Sequence, residues 1–299
     1  MFPDPLFILA PPRSFTSVVC SMLGQHPQMY GLPEVNLFVA ETLGEMWGFY
    51  ARRRFGRDGL LRAVAQLYAG EQTIQTILLA QRWIQMRLPC DTGTVFRELV
   101  EKANGAILVD KSPITILRAE YFQRLRRTFP RARFIHLLRH PRGMGESMLR
   151  TFGNAMALRM NAVDYSTDPP TIDPQKAWYS LHINILTFLA TVPEEQVLRI
   201  QGEALLCNPD CHLPRIAEWL GLRTDQAAIE EMKHPERSPF ACLGPPNARF
   251  GGDPNFLRDP RLKPAKGKPL SLAGPLPWRP DGKGFSREVK DLAHEFGYC

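Results

Sequence analysis

The stretch LFILAPPRSFTSVVCSMLGQHPQMYGLPEV, from Leu6 to Val35, constrains the fold of this chain more than any other. Leu6 to Ala10 are consecutive apolar residues, the length and composition of a strand buried on both faces. Pro11 and Pro12 stop it, and the ring of Pro12 also steers the residue before it away from helix. Arg13, Ser14, Phe15, Thr16 and Ser17 come next, then Val18, Val19, Met22 and Leu23 at helical spacing. The pattern predicts strand, tight turn, helix. The first N–H groups of such a helix lack partners and its dipole is positive there, so an oxyanion can settle on them. Ser14, Thr16 and Ser17 add donors and Arg13 adds a planar fork. Hydroxyls also cap helices without any ligand, but an Arg in the same turn after a strand favours the anion site.

The rest of the chain repeats the rhythm. Residues 35–103 carry apolar side chains at three-and-four spacing and predict helices. Ala106–Asp110 predicts a second buried strand, Phe134–Leu138 a third and Val197–Ile200 a fourth, with helical patterns between them. Strands alternating with helices mean βαβ units and a parallel sheet. Residues 150–175 look irregular. Residues 238–284 are dense in Pro and Gly yet hold Phe240, Phe250, Phe256, Leu257 and Trp278, which predicts a lid packed on the body rather than a free linker. No internal repeat or composition break divides the chain, so residues 1–299 are expected to form one domain.

With 44% hydrophobic residues the chain can bury a large core. It has no apolar run of the roughly 18 residues that span a bilayer and no secretion signal, which points to a soluble, cytoplasmic protein. The net charge of +7 suits a polyanionic ligand, but no aromatic-interleaved basic stripe suggests a nucleic-acid partner. Arg52, Arg53, Arg54 and Arg57 are expected on a solvated helix face. The six cysteines are scattered, and Cys207-x3-Cys211-His212 lacks the second half of a zinc site, so reduced thiols are expected.

A second anion pattern lies in LLRHPRGMGESM, where Arg139 ends a strand and Ser147 begins the next helix. The two can converge on one phosphate; equally, the Arg can pair with a carboxylate and the Ser can cap. Glu34 follows Gly-x-Pro, where it is either a carboxylate able to take a proton from a hydroxyl or a first-turn Glu on a helix dipole. Lys111 ends the second strand, as a charge over a reacting group or as a turn Lys beside Asp110.

PRSFTS resembles the PRSGTT-type 5′-phosphosulfate loop of sulfotransferases that use 3′-phosphoadenosine 5′-phosphosulfate (PAPS), and MLGQHP resembles the end of their first helix in bacterial and tyrosylprotein-type members. Arg139, seven residues and Ser147 are similar to the family's 3′-phosphate motif. Glu34, 21 residues after Arg13, matches a catalytic glutamate, and Lys111 in VDKSP a strand-end lysine. The resemblance implies an α/β fold, a P-loop-NTPase-like parallel sheet flanked by helices. It also implies transfer of a sulfonate from PAPS, leaving 3′-phosphoadenosine 5′-phosphate (PAP), to an acceptor hydroxyl without a required metal. Glu34 would be the base, Arg13 and Lys111 catalytic, Arg13 to Ser17 the phosphosulfate cradle, and Arg139 and Ser147 the 3′-phosphate anchor.

Phe15 stands where the family has Gly, so its backbone is expected in a conformation open to a bulky residue, with the ring turned from the sulfonate. GEALLCNPDCHLPRIAEWLGL resembles another family segment, with Gly202 in place of an aromatic on the adenine side; Trp278 or Phe250 would stack instead, and Lys263, Lys266 and Lys268 would reach the 3′-phosphate. Phe38, Trp47, Tyr50, Phe152, Met156 and Tyr165 suit either an apolar acceptor pocket or the core. Two rivals remain: a P-loop-like nucleotide kinase, although G-x-x-x-x-G-K-[ST] is absent and the 10–17 turn has no Lys, and a non-catalytic nucleotide-binding protein. Oligomeric state is open.

Overall fold

The protein is seen in a computed structural model that describes residues 2–51, 55–152, 157–158, 160–263 and 270–299. Its centre is a five-stranded parallel sheet. The strands are β1 (Leu6–Leu9), β2 (Met29–Gly31), β3 (Ile107–Asp110), β4 (Arg133–Leu138) and, after a short antiparallel hairpin of β5 (Val163–Asp164) and β6 (Thr171–Ile172), β7 (Val197–Gln201). The order across the sheet is β2-β3-β1-β4-β7, so β1 lies between β3 and β4. The α/β expectation is met, and the four expected strands are all present; β2 and the hairpin are additions.

The side-chain period of a strand explains the two-layered core. Along β1, Phe7 and Leu9 enter one apolar cluster, while Leu6, Ile8 and Ala10 enter the other. Phe134 and Leu138 of β4 follow Phe7, and Ile135 and Leu137 follow Leu6. The first cluster holds an aromatic group in which Phe7 meets Phe38, Phe96, Phe129 and Phe134 at centroid distances of 5.6–6.2 Å. Helices Phe55–Ala69, Ile74–Gln85, Thr92–Lys102 and Pro174–Leu189 cover that face; Thr16–Leu23 and Pro209–Leu220 cover the other.

Phe38 and Tyr50 are core residues and Tyr165 is exposed. The side chain of Phe152, Met156, Lys266, Lys268 and Arg52 to Arg54 lie outside the described residues. Arg57 stacks 4.3 Å over the Trp47 ring. No described helix is long and apolar enough to cross a membrane. The described parts of the C-terminal Pro/Gly-rich segment are packed, with Phe240, Leu257, Leu272 and Leu276 buried. Arg279 anchors it, pairing with Asp164 at 2.9 Å, with Asp281 at 2.6 Å and with Asp173.

Candidate active site

Parallel strands present their carboxyl ends on one edge, and ligands of such sheets sit where the strand order reverses. Here the chain steps from β1 to β2 and β3 on one side, then to β4 on the other. Four neighbouring strands therefore deliver their following residues to one place: Glu34 after β2, Lys111 after β3, residues 11–17 after β1 and Arg139 after β4.

The turn after β1 is built for anions. Arg13 and Phe15 both have positive φ, 70° and 63°, while Ser14 between them does not. Alternating hand turns successive N–H groups into a shared concavity. Phe15 then starts the helix Thr16–Leu23 without a side-chain cap, which leaves the helix's first amides to whatever occupies the cleft. The backbone at Phe15 thus departs from the expected unstrained geometry. It keeps the left-handed turn that suits glycine, at a cost of about 1–2 kcal/mol for a residue with a Cβ.

The two anion motifs meet. Arg13 Nε donates to Ser147 Oγ at 3.1 Å, across 134 residues of sequence, and Arg139 Nη1 donates to the Arg13 carbonyl. Arg139 is mostly buried, which pulls its guanidinium down to about 10. Its Cζ lies 4.2 Å over the Phe15 ring. Two buried polar atoms of this group, Ser14 Oγ and Arg139 Nε, have no hydrogen-bond partner among the described residues. Orphaned donors in an anion-shaped turn are what an absent oxyanion would satisfy.

Glu34 and Lys111 form an ion pair, Nζ to Oε1 2.8 Å, and Lys111 Nζ also donates to Ser17 Oγ at 3.1 Å. The Lys111 side chain is only 4% exposed. Below it Asp110 accepts from Ser112 Oγ at 2.7 Å, and burial raises its carboxyl to about 6. Glu34 is fixed through its backbone: its N–H donates to the Gly251 carbonyl at 2.7 Å. A Cβ on Gly59 would lie 2.0 Å from the Glu34 carbonyl, so only glycine lets the helix Phe55–Ala69 come so close.

The cleft between these groups has a volume of about 570 Å³, within the range of roughly 300–1,000 Å³ usual for ligand sites. Residues 13–17, Glu34 and Arg139 line it; Lys111 and Ser147 bond to lining residues, Lys111 to Glu34 and Ser17 and Ser147 to Arg13. The Pro/Gly-rich segment closes one side with Phe250, Asp253 and Phe256. Asp253 pairs with Arg13 at 2.6 Å and its N–H donates to Ser17 Oγ at 3.2 Å. Sequence reasoning passed over Asp253; the only trace was Asp-Pro-Asn, a helix-start signature inside the lid. Trp278 does not reach the cleft. It donates to Asp173 Oδ1 at 2.9 Å and covers Gly145. Lys263 pairs with Asp259 on the surface.

Sequence and fold comparisons identify the family. The sulfotransferase family model matches residues 5–226, and the chain belongs to that family. It is an enzyme of sulfonate transfer. A sulfotransferase domain from the curacin biosynthetic pathway superposes with a TM-score of 0.80 at 23% identity, over 100% of this chain and 99% of that one. A sulfotransferase domain from the olefin synthase of Synechococcus PCC 7002 superposes with a TM-score of 0.74 at 25% identity, over 100% and 96%. A search of curated protein sequences finds no match.

Proposed function

We propose that the chain transfers a sulfonate from PAPS to a hydroxyl of an acceptor with an apolar flank, with residues 1–299 working as one domain. The observation that carries the reading is the Arg13 Nε to Ser147 Oγ bond. It joins the residues assigned to the two ends of a doubly anionic nucleotide, and Glu34 opens on the same cleft. The unpartnered Ser14 Oγ and Arg139 Nε fit such a ligand. PAPS supplies an activated sulfonate on a phosphate leaving group.

In this reading Arg139 and Ser147 hold the 3′-phosphate, while the amides and hydroxyls of residues 14–17 and the Arg13 fork hold the phosphosulfate end. Glu34 accepts the proton of the acceptor hydroxyl. Lys111, paired with Glu34 and Ser17, sets positive charge beside the bond that breaks. Holding both partners in line contributes most of the rate. Phe250 and Phe256 give the acceptor side of the cleft an apolar wall. That a domain 25% identical belongs to an olefin synthase accords with a hydrocarbon-bearing acceptor.

The test is transfer of radiolabelled sulfonate from PAPS to a panel of aliphatic alcohols and phenols. Labelled product with the wild type and none with Arg13→Ala is expected; label transfer that survives Arg13→Ala would refute the site. Turnover requiring Mg-ATP instead would restore the kinase reading.

A further inference from the structure

Phe15, like Arg13, is a residue of the loop that glycine would replace at lower backbone cost, since a Cβ at φ 63° is strained by about 1–2 kcal/mol. A strained position persists where its side chain gives something in return. The ring has two neighbours that account for it. On one face lies the Arg139 guanidinium, Cζ 4.2 Å from the centroid. On its edge lies Gly202, the first residue of the helix after β7, where a Cβ would stand 2.5 Å from Phe15 Cδ2 and 3.1 Å from the Leu138 carbonyl. No side chain fits at residue 202 while the ring is in place.

We infer that Phe15 is a positioning residue for Arg139, and that Gly202 is the vacancy its ring requires. Arg139 Nη1 is tied to the Arg13 carbonyl while Nε has no hydrogen-bond partner among the described residues. That single bond to Nη1 does not by itself set the tilt of the guanidinium plane. A flat aromatic face fixes the plane of a guanidinium as a hydrogen bond to one nitrogen cannot. The gain is preorganisation, because ordering a long Arg side chain at the moment of binding would lower affinity. The Phe15–Gly202 contact also joins the end of β7 to the turn after β1, with the end of β4 between them. The inference rests on the reading that Arg139 holds the 3′-phosphate of PAPS.

The experiment is calorimetric PAP binding with thermal midpoints for each protein. Phe15→Leu keeps an apolar side chain and loses the aromatic face; it should bind PAP about 3- to 30-fold more weakly, the range of one partly desolvated cation–π contact. Phe15→Tyr should bind like the wild type. Gly202→Ala should reproduce the loss by pushing on the ring, and in a Phe15→Gly background it should add less than about twofold. In Arg139→Lys, which has no guanidinium plane to hold, Phe15→Leu should cost less than about twofold, a result that a purely structural role would not give. Unchanged affinity in Phe15→Leu, or an equal loss in the Arg139→Lys background, overturns the inference. Should Phe15→Leu not fold, Gly202→Ala with and without Phe15→Gly decides the matter. Wild-type PAP binding indifferent to Arg139→Ala would instead sink the donor-site reading, and this inference with it.

Discussion

Replacing Asp253 with asparagine isolates the charge that the C-terminal segment places in the donor cleft. Its Oδ1 lies 2.6 Å from Arg13 Nη1, and the two side chains are 26% and 9% exposed. The same oxygen accepts from Asn255 N–H at 3.0 Å and caps the helix Pro254–Arg258. A bound nucleotide adds at least one negative group next to Arg13, so Asp253 either competes for that guanidinium or repels the newcomer. Two unit charges about 5 Å apart at an effective dielectric of about 40, fitting for a group one quarter exposed, interact by about 1–2 kcal/mol. Asparagine is as good a helix cap as aspartate, so the segment keeps its shape. Asp253→Asn should then tighten PAP binding about 5- to 30-fold by calorimetry at low salt, with the advantage shrinking as ionic strength rises. Equal or weaker binding would refute this reasoning and mean that the pair with Asp253 aims Arg13 at the donor.

Further outcomes follow from the same geometry. Glu34→Gln should lower kcat by about 10²–10⁴ while PAP affinity holds, as expected for loss of a general base; near-normal turnover would remove Glu34 from that role. Lys111→Met should cost about 10²–10³ in kcat with less than a tenfold change in PAP affinity, and a large loss of PAP binding without loss of kcat would move Lys111 from the reacting bond to the nucleotide. His136 and His182, buried and joined by a 2.9 Å hydrogen bond, are both held neutral by burial, His136 down to about 3. The fold therefore binds fewer protons than the unfolded chain between about pH 6.5 and 3, so stability falls with acidification over that window. His136 alone contributes about 2 kcal/mol of loss by pH 5. Denaturant midpoints at pH 7.5 and 5 should differ accordingly, and the double variant His136→Leu, His182→Leu should flatten the dependence.

Much of this site was legible because its chemistry sits in short, strongly marked segments. Each of Arg13, Lys111 and Arg139 follows a largely apolar run with the length and composition of a buried strand, and parallel pairing of those strands then brings the three cations together. Other features depend on the assembled fold. β2 is the three residues Met29–Gly31, an edge strand too short to show alternation, and it forms because β3 offers it a ladder. The backbone of Phe15 could not be read from residue preference, since the left-handed conformation opposes the side chain and tertiary contacts with Arg139 and Gly202 outweigh that. Trp278 looked like a base-stacking residue by type alone; packing against Gly145 and the bond to Asp173 decide otherwise. Asp253 lies 240 residues from Arg13 in sequence, and nothing local announces a contact made by a returning loop.

The most direct measurement of the central claim is calorimetric binding of PAP to the wild type and to Arg139→Ala, with ADP and Mg-ATP as comparators and no metal added to PAP. The account predicts tight PAP binding that Arg139→Ala abolishes and that ADP does not reproduce. Absence of PAP binding, or preference for Mg-ATP, would contradict it.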